Sequence, residues 1–242
     1  MQNKLTVFTI IRSILFWIVA ILFLPFCPLL AIIIAPLPRI PRFKMIAICA
    51  HVYTFLLKII CGVKYQVKGL DNIPKGSNIY AGNHQSAWET MALPCILPVF
   101  VWVMKKEVLN VPLFGWAVRA ASAIPIDRSK GKDSMEQIIE KGKERTDIGF
   151  GITIFPEGTR SRPKQRKEFK VGAARLALSL NKPIVPFAHN SGYYLKKGGF
   201  WIFPGIVDVV IGKPIYPDDT DPQKYTKKLE NWVYAELDKM GS

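Results

Sequence analysis

Two textures divide the chain. Up to Gly62 apolar positions run almost unbroken, and beyond it they come in short bursts between turn residues. No charged residue occurs between Arg12 and Arg39, so Ser13 to Pro38 is long enough to cross a bilayer. "ILFWIVAILFLPFCPLLAIII" has almost no polar face, which a helix on the surface of a soluble domain needs. Pro25 and Pro28 interrupt this stretch, so one straight helix is not expected. A second apolar segment, Pro41 to Gly62, has Arg42, Lys44, His51 and Lys58 scattered through it. Joined by "APLPRIPR", the two segments predict a helical hairpin over residues 1–62 that either spans a bilayer or dips into one leaflet. It has no small-residue cleavage site, so it does not read as a removable signal peptide.

From residue 63 to 242 the short runs "VKYQVKG", "SNIYAG", "VFVWVM", "SAIPI", "GITIFP", "PIVPFAH" and "IVDVVIG" predict about seven strands, mostly buried. Pro186 inside "PIVPFAH" predicts a sheet edge or a bulge. Helical patterns alternate with them: "AWETMALPCIL", "SMEQIIEKGKERT", "VGAARLALSL" and a C-terminal segment with Leu229, Trp232, Val233 and Leu237 on one face. Strands alternating with helices predict one α/β domain, a roughly seven-stranded sheet flanked by helices. The length of 242 residues suits one such domain plus a small accessory element.

A net charge of +15 attracts either nucleic acid or an anionic membrane surface, and the apolar N-terminus favours the membrane. Lys4 and Arg12 precede the charge-free stretch and Arg39, Arg42 and Lys44 follow it, which leans toward a cytoplasmic catalytic domain. The cysteines (Cys27, Cys49, Cys61 and Cys95) form no C-x-x-C pair, so a reducing compartment without disulfides or zinc is expected.

Several stretches combine chemistry with a strand end. In "NHQSAWET", Ser86-x-x-Glu89 has the spacing of a capping box. The same octapeptide offers His84 as a proton acceptor with Glu89 to hold its ring. "GITIFPEGTRS" sends Glu157, Thr159, Arg160 and Ser161 through a turn made by Pro156 and Gly158. In "IPIDRSKGKDS", Arg128 either forks onto a phosphate or pairs with Asp127. Lys105 and Lys106 leave the strand "VFVWVM" toward a cleft or toward solvent. The loop "RSRPKQRKEFK" is strongly basic, and suits solvent, a membrane or an anionic donor equally.

In order and spacing these stretches resemble the glycerolipid acyltransferase family, whose members acylate 1-acylglycerol-3-phosphate. "NHQSAWE" is similar to its N-H-x-x-x-x-D motif, "IPIDR" to its F-I-D-R motif, and "IVPFA" to its V-P-centred strand. "FPEGTRS" matches its third motif letter for letter, and "KKEVLNVPLFG" resembles its K-K-E-L segment. The likeness runs from about residue 60 to 215. Two positions depart from it: Glu89 stands where aspartate is usual, and Pro125 replaces an aromatic residue.

The resemblance implies that His84 is the general base and Glu89 its orienting carboxylate, with an aspartate at 89 expected to serve as well. Glu89 is not expected to cap a helix and orient the ring at once. Backbone N–H groups after His84 are candidates for stabilising the oxyanion. Arg128, Glu157, Gly158, Thr159 and Arg160, with Lys105, would form the pocket for the acceptor's phosphate and glycerol. Glu157 is expected to hold an arginine or to accept from a glycerol hydroxyl. The implied partners are membrane lipids, a lysophospholipid acceptor, and acyl-CoA or acyl carrier protein as thioester donor, with no cofactor, metal or nucleic acid. Rival readings are another acceptor, such as glycerol-3-phosphate, and a non-catalytic basic membrane-binding protein. A serine hydrolase is disfavoured because no G-x-S-x-G elbow occurs.

Overall fold

The computed structural model describes residues 4–23, 25–112, 114–127, 132–217 and 221–242. Seven strands form one sheet: β1 (Val63–Lys68), β2 (Ile79–Gly82), β3 (Phe100–Lys105), β4 (Ile124–Ile126), β5 (Gly151–Ile154), β6 (Ile184–His189) and β7 (Gly205–Ile211). Their order is β1-β7-β6-β2-β5-β3-β4. β6, β2, β5, β3 and β4 run parallel, with Ala81 opposite both Ile154 and Pro186. β7 is antiparallel to β6 and parallel to β1. The central strands β2, β5 and β6 are buried at every position, as their continuous apolar runs require of parallel strands covered on both faces. β1 lies at the rim and is mostly exposed.

The sheet is flanked by α4 (Trp88–Ile96), α5 (Phe114–Ala120), α6 (Lys132–Asp147), α7 (Gly172–Leu180) and α8 (Pro222–Lys239). α7 packs its small residues Ala173, Ala174 and Ala177 inward, and Asn181 ends it in the left-handed conformation. Asp221 caps α8 by accepting from the Gln223 N–H at 2.8 Å, with Pro222 in the first turn. α5 lies within a stretch whose lysines, rather than whose periodicity, drew notice in the sequence.

The N-terminal element is α1 (Val7–Phe23), α2 (Phe26–Ile33) and α3 (Arg39–Leu56). The break between α1 and α2 falls at Pro25. Pro28 sits in the first turn of α2, where its missing N–H has no intrahelical partner to lose. Both apolar segments, Val7–Ile33 and Arg39–Cys61, are long and apolar enough to cross a membrane. They are also docked on the sheet domain. Phe16 is fully buried between the rings of Trp17 and Tyr53. The Ser13 hydroxyl accepts the Ile202 N–H at 2.9 Å, and Trp17 donates to the Phe200 carbonyl at 2.8 Å. Phe43 of α3 meets Phe100 and Phe150 edge-on in the core. Their outward side stays apolar: Val7, Leu22 and Ile33 are each more than 70% exposed, at 73%, 76% and 75%.

Pro186 does not mark a sheet edge. β6 lies between β7 and β2. On its β7 side the ladder begins only at Phe187, and before that the chain irregularly meets residues 212–215. There the Gly212 N–H donates to the Pro186 carbonyl at 2.8 Å, and no N–H is asked of the proline in return.

Gly82 ends β2, two residues before His84. A Cβ there would lie 2.2 Å from the Phe187 carbonyl oxygen and 2.5 Å from its ring. Gly82→Ala must push β2 and β6 apart, at a cost of about 1–3 kcal/mol. In detergent its melting midpoint is expected to fall by about 2–10 °C relative to the parent. An unchanged midpoint would show that the two strands yield freely.

Candidate active site

The five parallel strands end on the same side of the sheet. That edge brings together His84 after β2, Glu157 after β5, His189 at the end of β6, Lys105 at the end of β3 and Asp127 after β4. Such an edge is where ligands collect in open α/β sheets.

His84 and Glu89 meet here. The His84 Nδ1–H donates to Glu89 Oε1, and the imidazole lies flat on the Phe155 ring, 4.1 Å between centroids and 10° between planes. Phe155 in turn stacks on Trp102 at 5.7 Å. The His84 side chain is 19% exposed and Glu89 is 0% exposed. With Nδ1 protonated, Nε2 carries the lone pair, and it has no partner among the described residues.

Glu89 does cap and orient at once, against the expectation from sequence. Its Oε1 accepts the N–H groups of Gln85 at 2.9 Å and Ser86 at 3.1 Å as well as the His84 ring. Its Oε2 accepts from Ser86 N–H at 3.2 Å and from the Ser191 hydroxyl at 3.1 Å, and lies 3.2 Å from His189 Nε2. Ser86 completes the cap by accepting the Trp88 N–H at 3.0 Å. Two carboxylate oxygens offer enough lone pairs for both duties. Burial pushes the Glu89 pKa up, but the two histidines and the Ser86 N–H more than offset this and hold it below the ordinary value.

The same bonds take up two of the N–H groups expected to serve the oxyanion. The N–H groups of Gln85 and Ser86 are spent on Glu89, and that of His84 donates to Glu157 Oε1 at 3.0 Å.

Glu157 therefore braces the His84 loop. It is 4% exposed, no guanidinium reaches it among the described residues, and its Oε2 is buried without a partner. Burial pushes its pKa up, the opposite direction to Glu89. Ser161 ties the other strand of the turn to the same loop, its N–H donating to the His84 carbonyl at 2.7 Å. Gly158 has φ +73°, a left-handed turn position that other residues enter only with strain. Thr159 is exposed and Arg160 half-buried beyond it. The Arg160 carbonyl accepts from Lys167 at 3.1 Å and Lys197 at 2.7 Å, and the Lys170 side chain lies over Gly158. Lys167 and Lys170 belong to the basic loop that suited solvent, a membrane or an anionic donor equally, while Lys197 was not singled out because it is distant in the chain.

Lys105 is exposed at the end of β3, and its neighbour Lys106 pairs with Asp127 at 2.6 Å. Arg128, predicted to hold phosphate, lies outside the described residues. An apolar pocket opens beside the aromatic stack, lined by Phe43, Cys49, Met91, Trp102, Phe114 and Val118. Trp102 is shared, so the pocket begins two stacked rings from His84. His189 and Ser191 were also missed as site residues: in sequence they end a strand and open a loop, and only the sheet order sets them against Glu89.

Residues 64–190 match the family model described as Acyltransferase. A 1-acyl-sn-glycerol-3-phosphate acyltransferase of Pseudomonas aeruginosa is 37% identical over 182 residues, 74% of this chain and 71% of that protein. One from Limnanthes douglasii is 31% identical over 212 residues, 86% of this chain and 74% of that one. The crystal structure of the 1-acyl-sn-glycerophosphate acyltransferase PlsC from Thermotoga maritima superposes with a TM-score of 0.80, covering 97% of this chain and 96% of that one. At 21% identity that likeness speaks to the fold. With more than half its length inside the family model and a 37% identical relative over most of both chains, this chain belongs to the acyltransferase family.

Proposed function

We propose that the protein transfers a fatty acyl group from a thioester to the free hydroxyl of 1-acylglycerol-3-phosphate, giving phosphatidate, with His84 as general base. The observation that carries this reading is the His84–Glu89 pair, whose Nε2 at the cleft has no partner among the described residues. Nε2 takes the proton from the acceptor hydroxyl as its oxygen attacks the thioester carbonyl carbon. The tetrahedral intermediate then collapses, the C–S bond breaks, and the imidazolium returns the proton to the departing sulfur. Glu89 keeps the Nδ1–H tautomer and stabilises the imidazolium, the part played by the third member of a hydrolase triad. The Ser86 hydroxyl is bonded to that of Ser191, which itself donates to Glu89, and on this reading the attacking oxygen is supplied by the acceptor. Acyl-CoA and acyl carrier protein are the donors this chemistry admits. The relatives' names carry the choice of acceptor over glycerol-3-phosphate.

Arg160 and Arg128, with Lys105, neutralise the acceptor's phosphate, while Gly158 and Thr159 shape the turn beside it. The role of Glu157 is to hold the His84 loop rather than to touch the glycerol. The apolar pocket beside Trp102 takes an acyl chain. Residues 1–62 attach the enzyme to the membrane through the exposed side of α1 and α2, on the cytoplasmic face. The acceptor's chain then stays in lipid, where leaving it would cost about 0.8 kcal/mol per methylene. Lys44 is exposed and available to anionic headgroups, whereas Arg42 donates to the Ala35 carbonyl at 3.1 Å and Arg39 pairs with Glu144 of α6.

His84→Ala is expected to lower turnover about a hundred-fold or more and, by taking one donor from the buried Glu89, to lower the melting midpoint by about 3–12 °C without preventing folding. Near-normal phosphatidate formation by a folded His84→Ala protein would contradict the mechanism. Arg160→Ala and Arg128→Ala are each expected to remove charge-assisted bonds worth about 1.5–3 kcal/mol, raising KM for the phosphorylated acceptor roughly ten-fold or more. Steady-state kinetics with each substrate varied in turn will tell: a rise in the donor KM alone would overturn the pocket assignment. The doubly substituted Leu22→Ser, Ile33→Ser protein alters two of the most exposed apolar positions and no buried one. It is expected to sediment less with anionic vesicles and to lose more activity on vesicle-borne acceptor than on a short-chain soluble one. Unchanged sedimentation and unchanged vesicle activity would remove the membrane role from this face.

A further inference from the structure

His189 is fully buried, ends an interior strand and has no part in the mechanism above. Its surroundings specify one protonation state. Nε2 lies 3.0 Å from the Asn83 carbonyl, which can only accept, and 3.2 Å from Glu89 Oε2. Nε2 therefore carries the proton and shares it between the two oxygens. On the other side, the Ser191 N–H points to Nδ1 at 3.5 Å, so Nδ1 accepts. A protonated ring would set two donors against each other there. Burial acts in the same direction and lowers the affinity of His189 for a second proton.

The ring is held from several elements. Asn83 clasps the strand end in both directions, its amide donating to the His189 carbonyl at 2.8 Å and its oxygen accepting the His189 N–H at 3.0 Å. Phe187 stacks on the ring at 6.2 Å and Trp88 of α4 covers it at 5.9 Å. The titratable groups that face it are Glu89 on α4 and His84 after β2, with Glu157 of the β5 turn beyond His84. Thus His189 touches the main chain of the residue before His84 and the carboxylate that orients His84.

A glutamate has one more rotatable bond than an aspartate and is harder to hold. We propose that His189 is a positioning residue of the reaction. Its Nε2–H, with the Ser191 hydroxyl, pins the second oxygen of Glu89 so that the first stays aimed at the His84 ring. The inference rests on the reading of His84 as the base. It also revises what an aspartate at 89 would do. The shorter side chain cannot reach both the His84 ring and the Ser191–His189 pair, so Glu89→Asp loses one of them and turns over more slowly.

Two substitutions separate positioning from packing. His189→Phe keeps the shape and removes the donor, and His189→Gln restores an N–H near the place of Nε2. In His189→Phe, kcat is expected to fall about ten- to a hundred-fold, by analogy with the loss of a hydrogen-bond partner that orients a metal-bound side chain, with both KM values unchanged. The carboxylate charge then falls more fully on the His84 imidazolium. The acidic limb of the kcat/KM profile is expected to move to higher pH. His189→Gln is expected to recover most of kcat and to return the limb toward the parent position. Parent-like kinetics and pH profile in His189→Phe, or equal losses in both variants, would overturn the proposal. If His189→Phe fails to fold, nitrogen-15 spectra of the parent protein's histidines decide. One ring should remain the neutral Nε2–H tautomer from about pH 5.5 to 8, and should be the ring whose signals His189→Gln removes. A ring at 189 that titrates or protonates at Nδ1 overturns it too. Turnover by His84→Ala would overturn the base assignment and this inference with it. An inert His84→Ala beside a parent-like His189→Phe overturns this inference alone.

Discussion

An ionised carboxylate with no exposed surface is the constraint on which the site depends. Burying such a charge costs several kcal/mol unless its oxygens are filled with donors. Glu89 is filled by the His84 ring, the Gln85 and Ser86 N–H groups, the Ser191 hydroxyl and His189. Each charge-assisted bond is worth about 1.5–3 kcal/mol, so together they offset the burial. Because the Glu89 pKa in the folded protein is lowered, its contribution to stability is full at neutral pH and fades as pH falls through that lowered value. Glu157 is the opposite case. Its burial is under-compensated and its pKa raised, so holding it ionised above its ordinary value costs stability.

The sheet supplies the donors because β2 and β6 are neighbours. His84 and Glu89 follow β2, and His189 and Ser191 close β6, so a single strand pairing sets one histidine on each side of the carboxylate. The next pairing, β2 with β5, sets Phe155 beneath the His84 ring and Glu157 against its N–H. The stack continues through Trp102 of β3 to the apolar pocket, which α3 of the N-terminal element also lines. The element with the lipid-like exterior is thereby a wall of the same site.

The seven strands were legible because each is a short apolar run between turn residues, and four of the five flanking helices by their apolar spacing; α5, only seven residues long, was not. The break at Pro25 was legible for the same local reason. What was not legible depended on pairing at a distance. Pro186 suggested a sheet edge or a bulge, and only the folded sheet shows that its missing N–H faces an irregular stretch on the β7 side of an interior strand. The His84–Glu89 pair was visible as spacing, and the family resemblance singled it out. The second histidine on Glu89 was not visible, since more than a hundred positions separate His189 from His84 in the chain. Likewise the N–H groups after His84 were candidates for the oxyanion in sequence, and only the folded loop shows those of Gln85 and Ser86 turned onto Glu89.

The central claim is that this site moves an acyl group to a lipid hydroxyl rather than to water. Its most direct test is to incubate the purified protein with acyl-CoA and 1-acylglycerol-3-phosphate, measuring free thiol and phosphatidate in the same samples. One phosphatidate formed for each thiol released is the predicted result. Thiol release without phosphatidate, or neither product, would contradict the account.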